Sequence, residues 1–152
     1  EGALLYLVPD AHLLKGVPDH EWGHNKDLFL SDARILDVLI QNPDRHKGNY
    51  NRGHHWVDGS YRAMLIDHGA GMRHGTYITM DMNNAFNTGP VRKVRRRTFD
   101  ALKSLHFDWL RDQLGEFLSH DEIHGILRRR DEIVHHFEYW AGQLGWENVV
   151  IG

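Results

Sequence analysis

The chain has 152 residues, with a hydrophobic fraction of 41% and a charged fraction of 26%, which is the composition of an ordinary globular domain with its own core. It contains no cysteine, so disulfides and thiolate metal sites are excluded. The formal net charge of −3 gives no overall attraction to nucleic acid or membranes, and the longest apolar runs are too short to span a bilayer. A chain without thiols fits any compartment; of these we slightly favour a soluble protein of the cytoplasm.

The first third of the chain predicts a strand, a loop and a helix. Residues 3–8 (ALLYLV) are an apolar run typical of a buried strand, whereas residues 15–27 are rich in Gly, Pro, Asp and Asn and predict a loop. Ser31 followed by Asp32 is typical of an N-cap, and the apolar residues after it predict a helix to about Asn42. Because domains rarely begin inside a core strand, we expect residues 1–152 to be a single domain from a longer protein.

The middle of the chain predicts a β-hairpin between two irregular segments. Residues 43–53 are polar and predict a loop. HHWV at 54–57, the turn Asp58-Gly59 and YRAMLI at 61–66 then have the pattern of a hairpin. From 70 to 90 the sequence shows no regular periodicity, which indicates a long irregular segment.

The last third is predicted to be helical, so the fold class is α+β and mainly helical. Apolar residues form one amphipathic stripe over 99–117, after Thr98. Ser119 with Glu122 forms a capping box that opens a further helix, which Gly142 or Gly145 would end. The aromatic residues of this region are most simply explained as core; they are Trp109, Phe117, Phe137 and Trp140.

The sequence HEWGH at 20–24 matches the H-E-x-x-H signature of zinc proteases. That chemistry needs a helix that places His20 and His24 one turn apart, with Glu21 as the base. Pro18 lies just upstream and Gly23 lies within the motif, which argues against a helix. No third ligand follows at the usual spacing, and the chain has thirteen histidines, so we expect these side chains to be polar loop residues.

A better constellation for catalysis is NPDRHKGN at 42–49, followed by the hairpin and IDHG at 66–69. An apolar helix would deliver a polar loop that carries Asp44 and Asn49, and the returning strand would end at Asp67. Carboxylates and amides on such loops, together with phosphate oxygens, are typical ligands of Mg²⁺ bound to a nucleotide. Phosphoryl transfer requires little else beyond a group that orients the attacking hydroxyl and positive charge.

These motifs resemble the catalytic and metal-binding loops of atypical kinases, namely the phosphatidylinositol 3- and 4-kinase-like group, the Fam20-type secretory kinases and the HipA-like kinases. The resemblance implies that Asp44 is the catalytic acid that orients or deprotonates the acceptor. Arg45 and His46 would support the loop, with His46 facing the γ-phosphate. Asn49 and Asp67 would hold Mg²⁺ or Mn²⁺ on ATP.

The same resemblance implies that the chain is the carboxy-terminal lobe of a protein-kinase-like fold, with the β-hairpin carrying the metal-binding loop. The strand at 3–8 would join the two lobes, which makes Leu7 and Val8, together with Ile66, candidate contacts of the nucleotide. A glycine-rich phosphate loop and a strand lysine paired with a helix glutamate belong to the amino-terminal lobe and are not found in this sequence. The expected activity is transfer of the γ-phosphate of ATP to a hydroxyl of a protein, lipid or small molecule.

The basic run VRKVRRR at 91–97 admits two interpretations. A charge run is usually a solvated face. Alternatively, Arg92, Lys93, Arg95 and Arg96 contact an anionic substrate or an anionic membrane surface near the active site. Nucleic acid is the less attractive partner, because no aromatic stacking platform accompanies the run.

Two further function classes stay open at this point. One is a pseudokinase or catalytically silent interaction domain on the same fold, which is distinguished by failure to bind Mg-nucleotide. The other is the zinc metalloprotease through HEWGH, which would require stoichiometric zinc.

Overall fold

The computed structural model describes residues 12–13, 26–54, 61–72, 81–83 and 90–152. The predicted strand at 3–8, the HEWGH motif and the Asp58-Gly59 turn lie outside these ranges. Helices dominate the described part, which confirms a mainly helical α+β class. The helices are α1 (Lys26–Ile40), α2 (Arg96–Ser104), α3 (Phe107–Leu114), α4 (His120–Leu144) and α5 (Trp146–Val149), with a 3₁₀ helix at Lys47–Asn49. The strands are β1 (His12–Leu13), β2 (Tyr50–His54), β3 (Tyr61–Leu65), β4 (Val94–Arg95) and β5 (Val150–Ile151).

Helix α1 begins one and a half turns before the predicted N-cap at Ser31, which is instead a buried residue within the helix. The reason is tertiary, because Phe29 and Leu30 pack against Tyr50 of the hairpin, and that burial favours helix over the expected loop at 26–27. The helix ends at Ile40 because Gln41 adopts a left-handed backbone conformation, with φ of 53°.

The hairpin is formed by β2 and β3, and it begins earlier than predicted. Tyr50 pairs with Leu65 and His54 pairs with Tyr61 in an antiparallel register. Residues 50–53, expected to be loop, are therefore strand. The short β1 pairs with the other edge of β2, giving a three-stranded sheet of order β1-β2-β3.

The predicted helix after Thr98 is two helices, and the first begins at Arg96. Arg95 occupies the N-cap position, and Thr98 lies inside the helix, where its hydroxyl donates to Asp32 of α1 at 2.9 Å. The break falls at Leu105, whose backbone is extended and whose carbonyl accepts a hydrogen bond from the Arg130 guanidinium of α4. The break in the periodic apolar pattern therefore coincides with a contact to α4.

The long helix α4 starts and ends where the sequence predicts. The capping box is present, with Ser119 Oγ accepting from the Glu122 amide and the Glu122 carboxylate accepting from the Ser119 amide at 2.8 Å. Gly145 ends the helix with φ of 90°, whereas Gly142 lies inside it. Strand β5 then pairs in parallel with β4, which joins the end of the chain to the start of α2.

The main core lies between α1, α2, α4 and the β4–β5 pair. Phe137 of α4 is fully buried and meets Phe99 of α2 edge to face, with ring centroids 6.5 Å apart. A second cluster joins α3 to the first half of α4, and a third joins the start of α1 to the hairpin. Two aromatic residues expected in the core are exposed instead, Trp109 by 49% and Phe117 by 79%. Both lie on α3 or the turn after it, where no described element covers that side.

Truncation of Phe137 measures the contribution of the main core. We expect Phe137→Ala to lower the free energy of unfolding by about 3–5 kcal/mol, because it leaves a cavity among well-packed apolar side chains. Urea unfolding followed by circular dichroism measures this loss. The matched control is Tyr139→Ala on the exposed side of the same helix, which should change it by only about 0.5 kcal/mol. Equal losses would contradict the described core.

Candidate active site

Arg45 is the centre of a buried polar network that joins three segments of the chain. Its Nη2 lies 2.9 Å from Asp37 Oδ1 and its Nε lies 3.0 Å from Asp37 Oδ2, in a pair whose side chains are fully buried. Its Nη1 donates to the carbonyl of Asn49 at 3.2 Å and to that of Ile66 at 2.6 Å. The guanidinium therefore connects α1, the loop before β2 and the end of β3.

The turn between α1 and Arg45 is also built on Asp37. The Asn42 amide donates to the Asp37 carbonyl at 2.8 Å, and Asn42 Nδ2 donates to Asp37 Oδ1 at 3.2 Å. Asn42 Oδ1 in turn accepts from the backbone of Asp44 at 3.3 Å. This turn presents the Asp44 carboxylate to solvent while its backbone is held by buried groups.

Asn49 and Asp44 are brought together by a direct hydrogen bond. Asn49 Nδ2 donates to the Asp44 carbonyl at 2.9 Å, although Asn49 itself is almost fully buried. This bond uses the amide nitrogen and leaves the amide oxygen, which is the acceptor atom of the group, on its other side. His46 lies between them in the sequence and caps the start of the 3₁₀ helix, because its Nδ1 accepts from the Gly48 amide at 3.1 Å.

Asp67 follows β3 in a left-handed backbone conformation, with φ of 56°. Its predecessor Ile66 is fixed on both sides, because the Ile66 amide donates to the Asn49 carbonyl at 3.1 Å and the Ile66 carbonyl accepts from Arg45. After Asp67 the chain returns to α1, where the Met72 amide donates to the Ile40 carbonyl at 2.6 Å. These contacts place the Asp67 loop beside the Asn49 loop.

The residue types at this site fit a hard divalent cation. The Asn49 amide oxygen and the exposed Asp67 carboxylate are oxygen ligands of the kind that Mg²⁺ and Mn²⁺ prefer, with further positions for phosphate and water. Among the described residues, no three His, Asp or Glu side chains lie close enough together to bind a metal.

The structure brings together six of the predicted site residues: Asp44, Arg45, His46, Asn49, Ile66 and Asp67. Leu7 and Val8 lie outside the described residues. Sequence reasoning did not identify Asp37 or His68, both of which contact Arg45. The sequence does contain a feature that could have identified Asp37, because it is the one charged residue within the apolar run ILDVLI. A charged side chain buried in such a run requires a buried partner.

The basic run is divided between internal contacts and solvent. The Arg95 guanidinium pairs with Asp32 of α1, and the Arg92 guanidinium stacks over the Trp140 ring at 4.3 Å. Lys93 and Arg96 are exposed. The role of the basic run in contacting an anionic substrate or surface stays a prediction. Within this run, the charge of Arg95 is compensated by Asp32.

His135 and His136 are adjacent in α4 but lie in different environments. His135 is exposed, but His136 is half-buried, and its Nε2 lies 2.6 Å from the Val91 carbonyl. Burial lowers the pKa of His136, although the bond to Val91 acts in the opposite direction. His136 thus helps to hold the segment before β4 against α4.

Comparison with known proteins shows the fold. No protein-family model matches the sequence, and no curated protein sequence matches it significantly. The structure is similar to that of the Golgi casein kinase (TM-score 0.68, 21% identity) and to the Golgi casein kinase with Mn and ADP bound (TM-score 0.68, 23% identity). It is also similar to hydra Fam20 with sugar (TM-score 0.66, 19% identity). The chain has the fold of part of a Fam20-type kinase.

Each of these comparisons covers 89% of this chain but only 34–40% of the kinase. The chain therefore spans about a third of the length of the solved structures it matches. The wider grouping with phosphatidylinositol kinase-like and HipA-like proteins stays a prediction. Within the described residues, no helix has the length and apolar character needed to cross a membrane.

Removal of the Asp37 charge tests the buried network. We expect Asp37→Asn to lower the free energy of unfolding by about 3 kcal/mol or more, because it leaves the Arg45 guanidinium buried without its counter-charge. Urea unfolding at neutral pH measures the change. Asp32→Asn breaks a partly exposed ion pair on the same helix and is the control, with an expected loss of about 1 kcal/mol or less. A smaller loss for Asp37→Asn than for Asp32→Asn would contradict the central role of this pair.

Tyr50 makes the stability of the fold sensitive to alkaline pH. Burial, reinforced by the negative charge of Asp37, raises its pKa from 10.0 to about 12. Because the unfolded chain then loses the phenol proton first, the contribution of Tyr50 is complete below about pH 10 and is lost as pH rises toward about 12. We expect urea unfolding to show a smaller loss of stability across this range in Tyr50→Phe than in the wild type. Tyr139→Phe, at an exposed position, should retain the wild-type pH dependence.

Proposed function

We propose that this chain is part of an atypical kinase, an ATP-dependent phosphotransferase that transfers the γ-phosphate to a hydroxyl of a protein, lipid or small molecule. The observation that carries the proposal is the buried guanidinium of Arg45, which joins the Asp44–Asn49 loop to the Asp67 loop. The kinase-like fold supports it independently. Residues 1–152 would correspond to the carboxy-terminal lobe, and the amino-terminal lobe would supply the remaining contacts of the nucleotide.

Each site residue has a role in this proposal that follows from its position. The exposed Asp44 carboxylate, held at its backbone by Asn42 and Asn49, would accept the proton of the acceptor hydroxyl and orient it. Asn49 and Asp67 would ligate Mg²⁺ or Mn²⁺, and this cation would neutralise phosphate charge during transfer. His46, on the same rigid turn as Asp44, would face the γ-phosphate.

The nucleotide contacts are the less constrained part of the proposal. Ile66 lies directly beside the metal-binding loop, which supports a contact with the nucleotide. The corresponding roles of Leu7 and Val8 stay predictions. Mn and ADP are bound in one of the similar structures, which supports the use of a divalent metal and a nucleotide by this chain as well.

Substrate and compartment are proposed only at the level of chemical class. The exposed positive charges of Lys93 and Arg96 support an acceptor that carries negative charge. The cytoplasmic location stays a prediction, and the Golgi in the names of two similar structures is a property of those proteins.

The first experiment measures binding of Mn²⁺-ADP by thermal unfolding and isothermal titration calorimetry. At a hundredfold excess over Kd, the complex should stabilise the protein by about 2.7 kcal/mol, since a ligand of the folded form shifts the unfolding equilibrium. We expect Asp67→Ala to abolish this stabilisation, because it removes a metal ligand. Asp100→Ala, an exposed carboxylate on α2, is the control and should bind as the wild type does.

Three outcomes distinguish the function classes. Binding that Asp67→Ala abolishes, together with transfer of label from radiolabelled ATP that Asp44→Ala abolishes, supports the kinase. Binding without transfer in the longer protein indicates a pseudokinase, and binding of neither nucleotide nor zinc indicates an interaction domain. No nucleotide binding, with zinc binding that is lost in His20→Ala, contradicts the kinase and favours the zinc hydrolase.

A further inference from the structure

His68 makes a contact with Arg45 that the proposed chemistry does not use. Its Nδ1 lies 2.8 Å from Arg45 Nη2, at the boundary between the buried network and solvent. Arg45 is almost fully buried, whereas His68 is exposed. The contact therefore contributes little apolar burial, and its role has to be explained by the hydrogen bond itself.

The direction of this hydrogen bond follows from the chemistry of the two groups. An arginine guanidinium has only donors, so His68 Nδ1 must be the acceptor and the ring proton lies on Nε2. Arg45 already donates to the carbonyl of Ile66, one residue before Asp67. With His68, one residue after Asp67, the same guanidinium holds the chain on both sides of that carboxylate.

The backbone of Asp67 explains why a hold on both sides matters. Its φ of 56° is in the left-handed region, which a non-glycine residue occupies only when the surrounding structure favours it. The contacts of Ile66 fix the backbone before Asp67, and the contact of His68 fixes the backbone after it. Without the second contact, the peptide after Asp67 can rotate toward a more common conformation, which redirects the carboxylate.

We propose that His68 is a positioning residue that fixes the Asp67 carboxylate for metal binding by accepting a hydrogen bond from Arg45. This inference rests on the proposed function for the identity of the ligand, but the hold on the backbone is independent of any ligand. Asp37 completes the arrangement from the opposite side, because its carboxylate fixes the Arg45 guanidinium. Asp37 thus fixes Arg45, Arg45 fixes His68, and His68 fixes the backbone of Asp67.

The test compares His68→Leu with His68→Asn. Leucine has no acceptor, whereas the asparagine side-chain oxygen can take the place of Nδ1 and accept from Arg45. We expect amide hydrogen exchange over residues 66–69 to accelerate in His68→Leu and to return most of the way to the wild-type rate in His68→Asn. Mn²⁺ affinity should fall about tenfold in His68→Leu and recover in His68→Asn, since groups that orient a ligand typically contribute this much.

His106→Leu is the matched control, because His106 is also exposed and its Nδ1 lies 2.9 Å from the Ser104 carbonyl, on the turn between α2 and α3. It should leave both exchange over 66–69 and Mn²⁺ affinity unchanged. Exchange in His68→Leu equal to that of the wild type overturns the proposal, and so does equal acceleration in the leucine and asparagine variants. A wild type that binds no Mn²⁺ contradicts the proposed function, whereas the exchange comparison still decides the role of His68.

Discussion

The ion pair between Asp37 and Arg45 is the interaction on which the candidate site depends. Two charges without solvent contact are costly, and the structure offsets that cost by using nearly every donor of the guanidinium. Asp37 accepts from Arg45 and Asn42, while Arg45 also donates to the carbonyls of Asn49 and Ile66. A neutral apolar pair could fill the same volume, but it could not fix three backbone segments relative to one another. Specific placement of loops is the physical advantage of burying this pair.

Helix α1 holds this pair in place from both of its ends. Its first turns pack against the hairpin through Phe29, whose ring lies 5.9 Å from that of Tyr50. Its last turn joins the main core through Val38 and accepts a hydrogen bond from Arg129 of α4 at the Leu39 carbonyl. Asp37 therefore lies on a helix that is fixed to the sheet and to the helical part at once, which gives the loop residues a rigid reference.

The parts that could be predicted from the sequence are those controlled by short-range rules. The capping box of α4 depends on Ser119 and Glu122 alone. The loops that carry Asp44, Asn49 and Asp67 were proposed as a site because these residues have a recognisable spacing, and their roles stay a prediction. The parts that could not be predicted depend on distant partners. Strand β2 is polar, and it begins at Tyr50, which packs with Phe29 and pairs with Leu65 of β3. The break at Leu105 coincides with a hydrogen bond from the Arg130 guanidinium of α4. A periodic stripe also does not show which of its residues will be covered, which is why Trp109 and Phe117 are exposed.

The left-handed backbone at position 67 restricts which amino acids that position can hold. Apart from glycine, asparagine and aspartate adopt this conformation most readily, because their short polar side chains hydrogen-bond locally. The same two residues carry the oxygen ligands that a hard cation requires. Backbone geometry and ligand chemistry thus both favour aspartate and asparagine at this position. Glutamate keeps the charge but would be a poorer replacement than asparagine, which loses it. Substitution tolerance at this position should accordingly follow conformational preference before charge.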